Sequence, residues 1–141
     1  MNSQSATVFL VEDNEADVYL LRLILNRLEV RCELVVFENG ETAMEFITRS
    51  EEEDSTPPEN HMFIIDLNLP RVDGRTLLKH LRDHGPFRES PVIVWTSSDA
   101  PRDPIESAAL GANRHVCKPP NLEAFMAFGG VVKDTLFAQR V

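Results

Sequence analysis

The sequence predicts an α/β fold, a doubly wound parallel sheet with helices on both faces. Short continuous apolar runs alternate with longer stretches whose apolar residues recur at helical spacing, and five such pairs follow one another. Strands separated by helices pair in parallel through right-handed crossovers, which distribute the helices over both faces. The third observation is size: 141 residues suit one domain with a single core and leave no room for a separate effector module.

"TVFLV" (7–11) is the first strand, an unbroken apolar run of strand length. Val18, Leu21, Ile24, Leu25 and Leu28 follow at helical spacing and give the first helix. "ELVVF" (33–37) is the second strand, and "NGETAMEFI" opens with a turn signal before a helix with Ala43, Phe46 and Ile47 on one side. The acidic, proline-bearing "EEEDSTPPEN" (51–60) reads as a long exposed loop. "MFIID" is the third strand, and "RTLLKHLRDH" is a helix burying Leu77, Leu78 and Leu81. "PVIVWT" (91–96) is the fourth strand, "PIESAAL" a shorter helix carrying Ile105 and Ala109, and "ANRHVCK" holds the fifth strand, with Cys117 as a small core residue. The last helix is expected to start at Pro119 and Pro120, where a missing amide donor costs least. It should bury Leu122, Phe125, Met126, Val132 and Leu136, with an interruption at Gly129 and Gly130.

Apolar residues make up 43% and charged residues 26%, as in globular rather than disordered or membrane chains. The net charge is 14 − 23 = −9 and the positive residues are scattered. This argues against nucleic acid or an anionic membrane as direct partner and favours a cation or a basic protein. Two cysteines, Cys32 and Cys117, show no metal-ligand or redox spacing. "MNSQSATVFLV" lacks the basic region and long apolar stretch of a signal peptide, so a cytoplasmic location is expected.

In doubly wound sheets, functional residues gather beyond the carboxyl ends of the strands. There the chain places Glu12 and Asp13, Asp66, Thr96 with Ser97, and Lys118. Asp66 closes the apolar run "FII", where a carboxylate is costly unless something compensates it. Crowded carboxylates raise one another's pKa and call for a cation. Oxygen ligands without His or Cys suit a hard divalent ion, Mg²⁺ in particular, held by Asp13 and Asp66 with Glu12 close by or acting through water. A carboxylate so held can attack phosphorus to give an aspartyl phosphate if the equatorial oxygens are balanced. The cation, the Thr96 hydroxyl and the Lys118 ammonium offer one partner to each. Taken singly, these acids read as helix caps, with Asp13 or Asn14 capping the first helix and Ser98 or Asp99 the fourth, and Gly74 reads as a turn residue.

"VEDNEADVYLL", "FIIDLNLPRVDG", "VIVWTSSD" and "HVCKPP", in this order, resemble the receiver domain of bacterial two-component response regulators, from about residue 7 to the last helix. The resemblance implies a flavodoxin-like (βα)5 fold with strand order 2-1-3-4-5 and one receiver domain over residues 1–141. It implies Asp66 as phosphoacceptor, Glu12 and Asp13 as the acidic pair, Lys118 as the phosphate-pairing lysine and Thr96 as the switch hydroxyl. It also implies that the main-chain carbonyl of Asn68 binds Mg²⁺ and that the Lys118–Pro119 peptide is cis. His115 stands where the family usually has the Tyr or Phe of the switch, and Ser97 where Ala or Gly is common.

The implied partners are a sensor histidine kinase and a downstream protein, so that the chain is a phosphorylation-operated binding module in a phosphorelay and not an enzyme. "EDNEADVYLL", "DLNLPRVDGR" and the acidic loop are similar, more narrowly, to stand-alone regulators that serve bacterial and cyanobacterial phytochromes, a subgroup that often forms homodimers. Two alternatives stay open. One is an aspartyl-phosphate phosphohydrolase, although such enzymes usually carry a second acid where this chain has Asn68. The other is a receiver-like interaction domain that is never phosphorylated.

Overall fold

The computed structural model describes residues 6–83, 85–97 and 102–138. Five strands, β1 (Ala6–Val11), β2 (Glu33–Phe37), β3 (Asn60–Ile65), β4 (Val92–Thr96) and β5 (Arg114–Cys117), alternate with five helices. These are α1 (Glu15–Arg27), α2 (Gly40–Glu52), α3 (Gly74–Asp83), α4 (Arg102–Ala109) and α5 (Leu122–Phe137). Every strand pair is parallel, and the order is β2-β1-β3-β4-β5, the flavodoxin-like wind. The order reverses between β1 and β3, which opens a crevice at their carboxyl ends.

The three inner strands are buried along their whole length, which is why they read as unbroken apolar runs. Alternating side chains divide the core into two layers. Val8, Leu10, Met62, Ile64, Ile93 and Trp95 face α1 and α5, where Leu21, Ile24, Leu25, Phe125, Phe128 and Val132 cover them. Phe9, Val11, Phe63, Ile65 and Val94 face α2 and α3, packed with Ala43, Ile47, Leu77, Leu78 and Leu81.

The structure corrects several details. Helix α5 begins at Leu122, not at the prolines, because the Asn121 side chain accepts from the Ala124 amide at 2.9 Å and supplies the cap. Leu122 then sits in the first turn at 60% exposure. The two glycines do not interrupt α5: Gly129 lies against Ile24 of α1 and its C-cap Leu28, so close packing offsets its poor propensity. Cys117 is exposed because β5 is an edge strand, and Ile105 projects from α4 at 73% exposure. The acidic segment is shorter than expected as a loop, since α2 runs through Glu52 and buried Asn60 already belongs to β3. No cis peptide occurs among the described residues, so Lys118–Pro119 is trans; the two isomers of an X–Pro bond differ by only about 1 kcal/mol, and local sequence does not choose between them. Ser98 and Asp99 lie outside the described residues.

Candidate functional site

The sheet's hydrogen bonding continues one residue past the strands and fixes the backbone of three site residues. Glu12 N–H donates to the Phe37 carbonyl at 3.0 Å, Asp66 N–H to that of Val11 at 3.2 Å, and Lys118 N–H to that of Thr96 at 2.8 Å. The turn after β1 is tied twice. Glu12 Oε2 accepts from the Asn14 amide at 3.0 Å, and Asn14 Oδ1 caps α1 by accepting from Ala16 at 2.9 Å and Asp17 at 3.1 Å. Of the two capping candidates, Asn14 therefore takes the role and leaves the Asp13 carboxylate exposed. On the other side, Gly74 N–H donates to the Leu67 carbonyl at 3.2 Å, and a Cβ at Gly74 would fall onto the Asp66 carbonyl and 2.7 Å from Leu67 Cα. Gly74 is thus required by the close approach of α3 to the Asp66 turn, not by a left-handed backbone.

Lys118 collects the acids. Its ammonium lies 2.8 Å from Glu12 Oε1, 2.8 Å from Asp17 Oδ2 and 3.4 Å from Asp66 Oδ2. It also sits over the Trp95 ring, 5.2 Å from the centroid. The Glu12 side chain is 0% exposed and that of Asp66 only 7%, so neither charge has water to fall back on. Burial pushes the Glu12 carboxyl up to about 7, and the charge of Asp66 adds to it against hydrogen bonds from Lys118 and the Asn14 amide. Burial pulls Lys118 down, but its bonds to Asp17 and Glu12 and the nearby charge of Asp66 outweigh it and hold the ammonium above the usual lysine range.

Glu12, Asp13 and Asp66 each offer a carboxylate oxygen within 4.8 Å of the others. Three hard oxygen donors, two buried and one facing water, fit a divalent cation that keeps part of its hydration, as Mg²⁺ does. Asn68 spans the remaining ground. Its main-chain N–H donates to Asp66 Oδ1 at 2.9 Å and its side-chain amide to Thr96 Oγ1 at 2.8 Å. Thr96 is fully buried beneath it, whereas Ser97 is exposed. His115 stands apart from the acids on β5, with Nδ1 at 3.0 Å from Ser107 Oγ of α4.

The sheet edge thus brings together Glu12, Asp13, Asp66, Asn68, Thr96 and Lys118 as the strand ends indicate. Two contributions escaped sequence reasoning: the Asp17 carboxylate and the bond from the Asn68 side chain to Thr96. Asp17 had one available signal, its place three residues after the Asn14 cap, in the turn of α1 that overhangs the sheet edge. The arrangement can bind a divalent cation, present a carboxylate oxygen to an electrophile and balance new anionic oxygens with an ammonium and a hydroxyl.

Comparison with known proteins agrees with this geometry. The family model for the response regulator receiver domain matches residues 8–128. The response regulator Rcp1 of Synechocystis sp. is 34% identical over 116 residues, covering 82% of this chain and 78% of its own length. The crystal structure of the Mn²⁺-bound form of Rcp1 superposes with a TM-score of 0.79 at 30% identity, over 96% of each chain. That of the phosphorylated cyanobacterial phytochrome response regulator RcpA superposes with a TM-score of 0.82 at 28% identity, over 97% of each chain.

Proposed function

Because the chain belongs to the response regulator receiver domain family, we propose that residues 1–141 act as one receiver unit that accepts a phosphoryl group on Asp66 from a sensor histidine kinase. The observation that carries this reading is the placement of the Lys118 ammonium 3.4 Å from a buried Asp66 whose other oxygen is oriented by the Asn68 amide. Oδ1 is held by the Asn68 amide and Oδ2 lies toward the Lys118 ammonium, so the carboxylate is oriented as an attacking group needs.

An Asp66 oxygen attacks the phosphorus of a phosphohistidine; the P–N bond breaks, its electron pair goes to the imidazole, and the imidazole takes a proton from water. Lys118 pairs with one phosphoryl oxygen and Thr96 donates its hydroxyl to another once it leaves Asn68. Hydrolysis reverses the state when water attacks phosphorus and the Asp66 oxygen leaves. Glu12, Asp13, Asp66 and the Asn68 carbonyl would hold Mg²⁺, which when bound neutralises charge developing on the phosphoryl oxygens. The phosphoryl transfer is self-catalysed within a cytoplasmic signalling module. Thr96 and His115 lie on the adjacent strands β4 and β5, and movement of Thr96 toward phosphate would alter the α4–β5–α5 face read by a downstream protein. The likeness to Rcp1 and RcpA supports a phytochrome-type kinase as the phosphodonor.

The phosphohydrolase alternative is disfavoured because Asn68 spends its side chain as a donor to Thr96 and carries no acid. The unphosphorylated alternative loses ground because acceptor, acidic pair and lysine are all in place. The test is incubation with Mg²⁺ and acetyl phosphate, followed by intact mass. Wild type should gain one phosphoryl group, Asp66→Asn none, and neither should turn over small phosphate esters. No Mg²⁺-dependent adduct on wild type with either acetyl phosphate or a kinase would overturn the reading.

A further inference from the structure

Lys118 is shared unequally. Its two short contacts, 2.8 Å each, go to Glu12 and Asp17, while the acceptor Asp66 stands at 3.4 Å. Asp17 is neither one of the three clustered oxygen donors nor a strand-end residue; it reaches the lysine from the first turn of α1. We propose that Asp17 is a positioning residue for phosphoryl acceptance, drawing Lys118 off Asp66 so that Asp66 stays open to the cation, and releasing the lysine when phosphoryl oxygens appear. The proposal rests on Asp66 being the phosphoacceptor.

Three features distinguish Asp17 as the partner that yields. Its side chain is 20% exposed, against 0% for Glu12, so water can solvate its carboxylate once the lysine leaves, whereas an abandoned Glu12 would be a buried unpaired charge. It borders a cleft of about 230 Å³ with Pro119, Pro120 and Asn121, which keeps that water within reach. Its backbone is fixed by the Asn14 cap at 3.1 Å, so the carboxylate returns to the same place when phosphate is lost. An ammonium and a divalent cation are both drawn to the Asp66 carboxylate and repel each other there. A second anchor for the ammonium therefore favours the cation, at the expense of a lysine that must be detached before it can serve the phosphate.

The two effects have opposite signs, which makes them separable. Asp17→Asn keeps the shape and removes the charge, so Lys118 should settle closer to Asp66. Lys118 lies over the only tryptophan of the chain, so Trp95 emission should change without any cation present. Mg²⁺ affinity, titrated by that emission, should weaken about 3-fold, while acetyl phosphate labelling at saturating Mg²⁺ should accelerate about 3-fold, as expected for a partly exposed ion pair. Asp17→Glu should restore both. Glu15→Gln removes a charge from the same helical turn that is not one of the ion-pair partners of Lys118, and should change neither. Should Asp17→Asn fail to fold, Asp17→Ser is read in the same way. Wild-type values in the Asp17 variant, slower labelling, or an equal effect from Glu15→Gln would overturn the proposal. Absence of any adduct on wild type would instead remove the phosphoacceptor reading, leaving the emission and Mg²⁺ titrations to judge Asp17's hold on Lys118.

Discussion

The Asn68 side-chain amide donates to the Thr96 hydroxyl at 2.8 Å, across the ground between the end of β3 and the end of β4. In the proposed phosphorylated state the Thr96 hydroxyl would instead donate to a phosphoryl oxygen, so under that proposal this bond is a latch on the resting arrangement. Asn68→Ala should remove a stabilisation of about 1 kcal/mol from that arrangement, a roughly 5-fold shift toward the displaced Thr96. The concentration of acetyl phosphate giving half-maximal phosphorylation should fall accordingly, measured by mass spectrometry at fixed Mg²⁺. An unchanged value would mean that Thr96 moves without breaking this bond.

Lys118→Met keeps an unbranched side chain but removes the ammonium that sits over Trp95 and leaves Glu12 and Asp66 without their cation. Loss of one partner from a buried charged cluster costs about 3 kcal/mol. Urea denaturation in EDTA should show that loss, and saturating Mg²⁺ should recover part of it, because a divalent ion neutralises the same carboxylates. A variant as stable as wild type in EDTA would show that the lysine does not hold the acidic edge together.

Adjacent glycines in α5 should respond in opposite directions to alanine. A methyl at Gly129 would press into Ile24 and stand 2.8 Å from Leu28 Cδ1, whereas a methyl at Gly130 would meet nothing within 4 Å. Gly129→Ala should therefore destabilise by about 2 kcal/mol through overpacking. Gly130→Ala should stabilise by about 0.5–1 kcal/mol through helix propensity. Chemical denaturation of the pair checks both signs at once.

These glycines also show where the sequence stops being informative. Propensity alone marks both as breaks, and only the packing of α1 against α5 reveals that one is required and the other merely tolerated. Proline's fit to a first turn put the start of α5 at Pro119 and Pro120, but Asn121 sets it, because its side chain satisfies the Ala124 amide. By contrast Asp66, Glu12 and Lys118 were legible because they close β1, β3 and β5 in one parallel sheet, and parallel strands end on the same edge. Asp17 and the Asn68 amide were not, since their roles depend on where a helical turn and a side-chain rotamer meet another strand's end.

His61 lies at the opposite end of β3 and should set part of the acid sensitivity of the fold. Its Nδ1 donates to the Pro58 carbonyl at 2.8 Å, and Nε2 lies 2.6 Å from Ser90 Oγ, so the neutral ring accepts there from the serine hydroxyl. Burial, beside Phe9 and Phe87, pulls its pKa below the ordinary 6.5, only partly opposed by the Pro58 bond. The unfolded chain therefore binds the proton first as pH falls. The stabilisation is complete above about 6.5 and is lost progressively as pH drops from there toward the lower folded value, by up to about 1.4 kcal/mol per pH unit. Glu12, raised to about 7, works the other way, favouring the folded state as pH falls from 7 toward 4.5. The two are separated by comparing wild type with His61→Gln in urea denaturation between pH 7.5 and 5. The variant should be less stable at pH 7.5, with the difference narrowing below pH 6.5; a difference that stays constant would mean that His61 takes up its proton equally in both states.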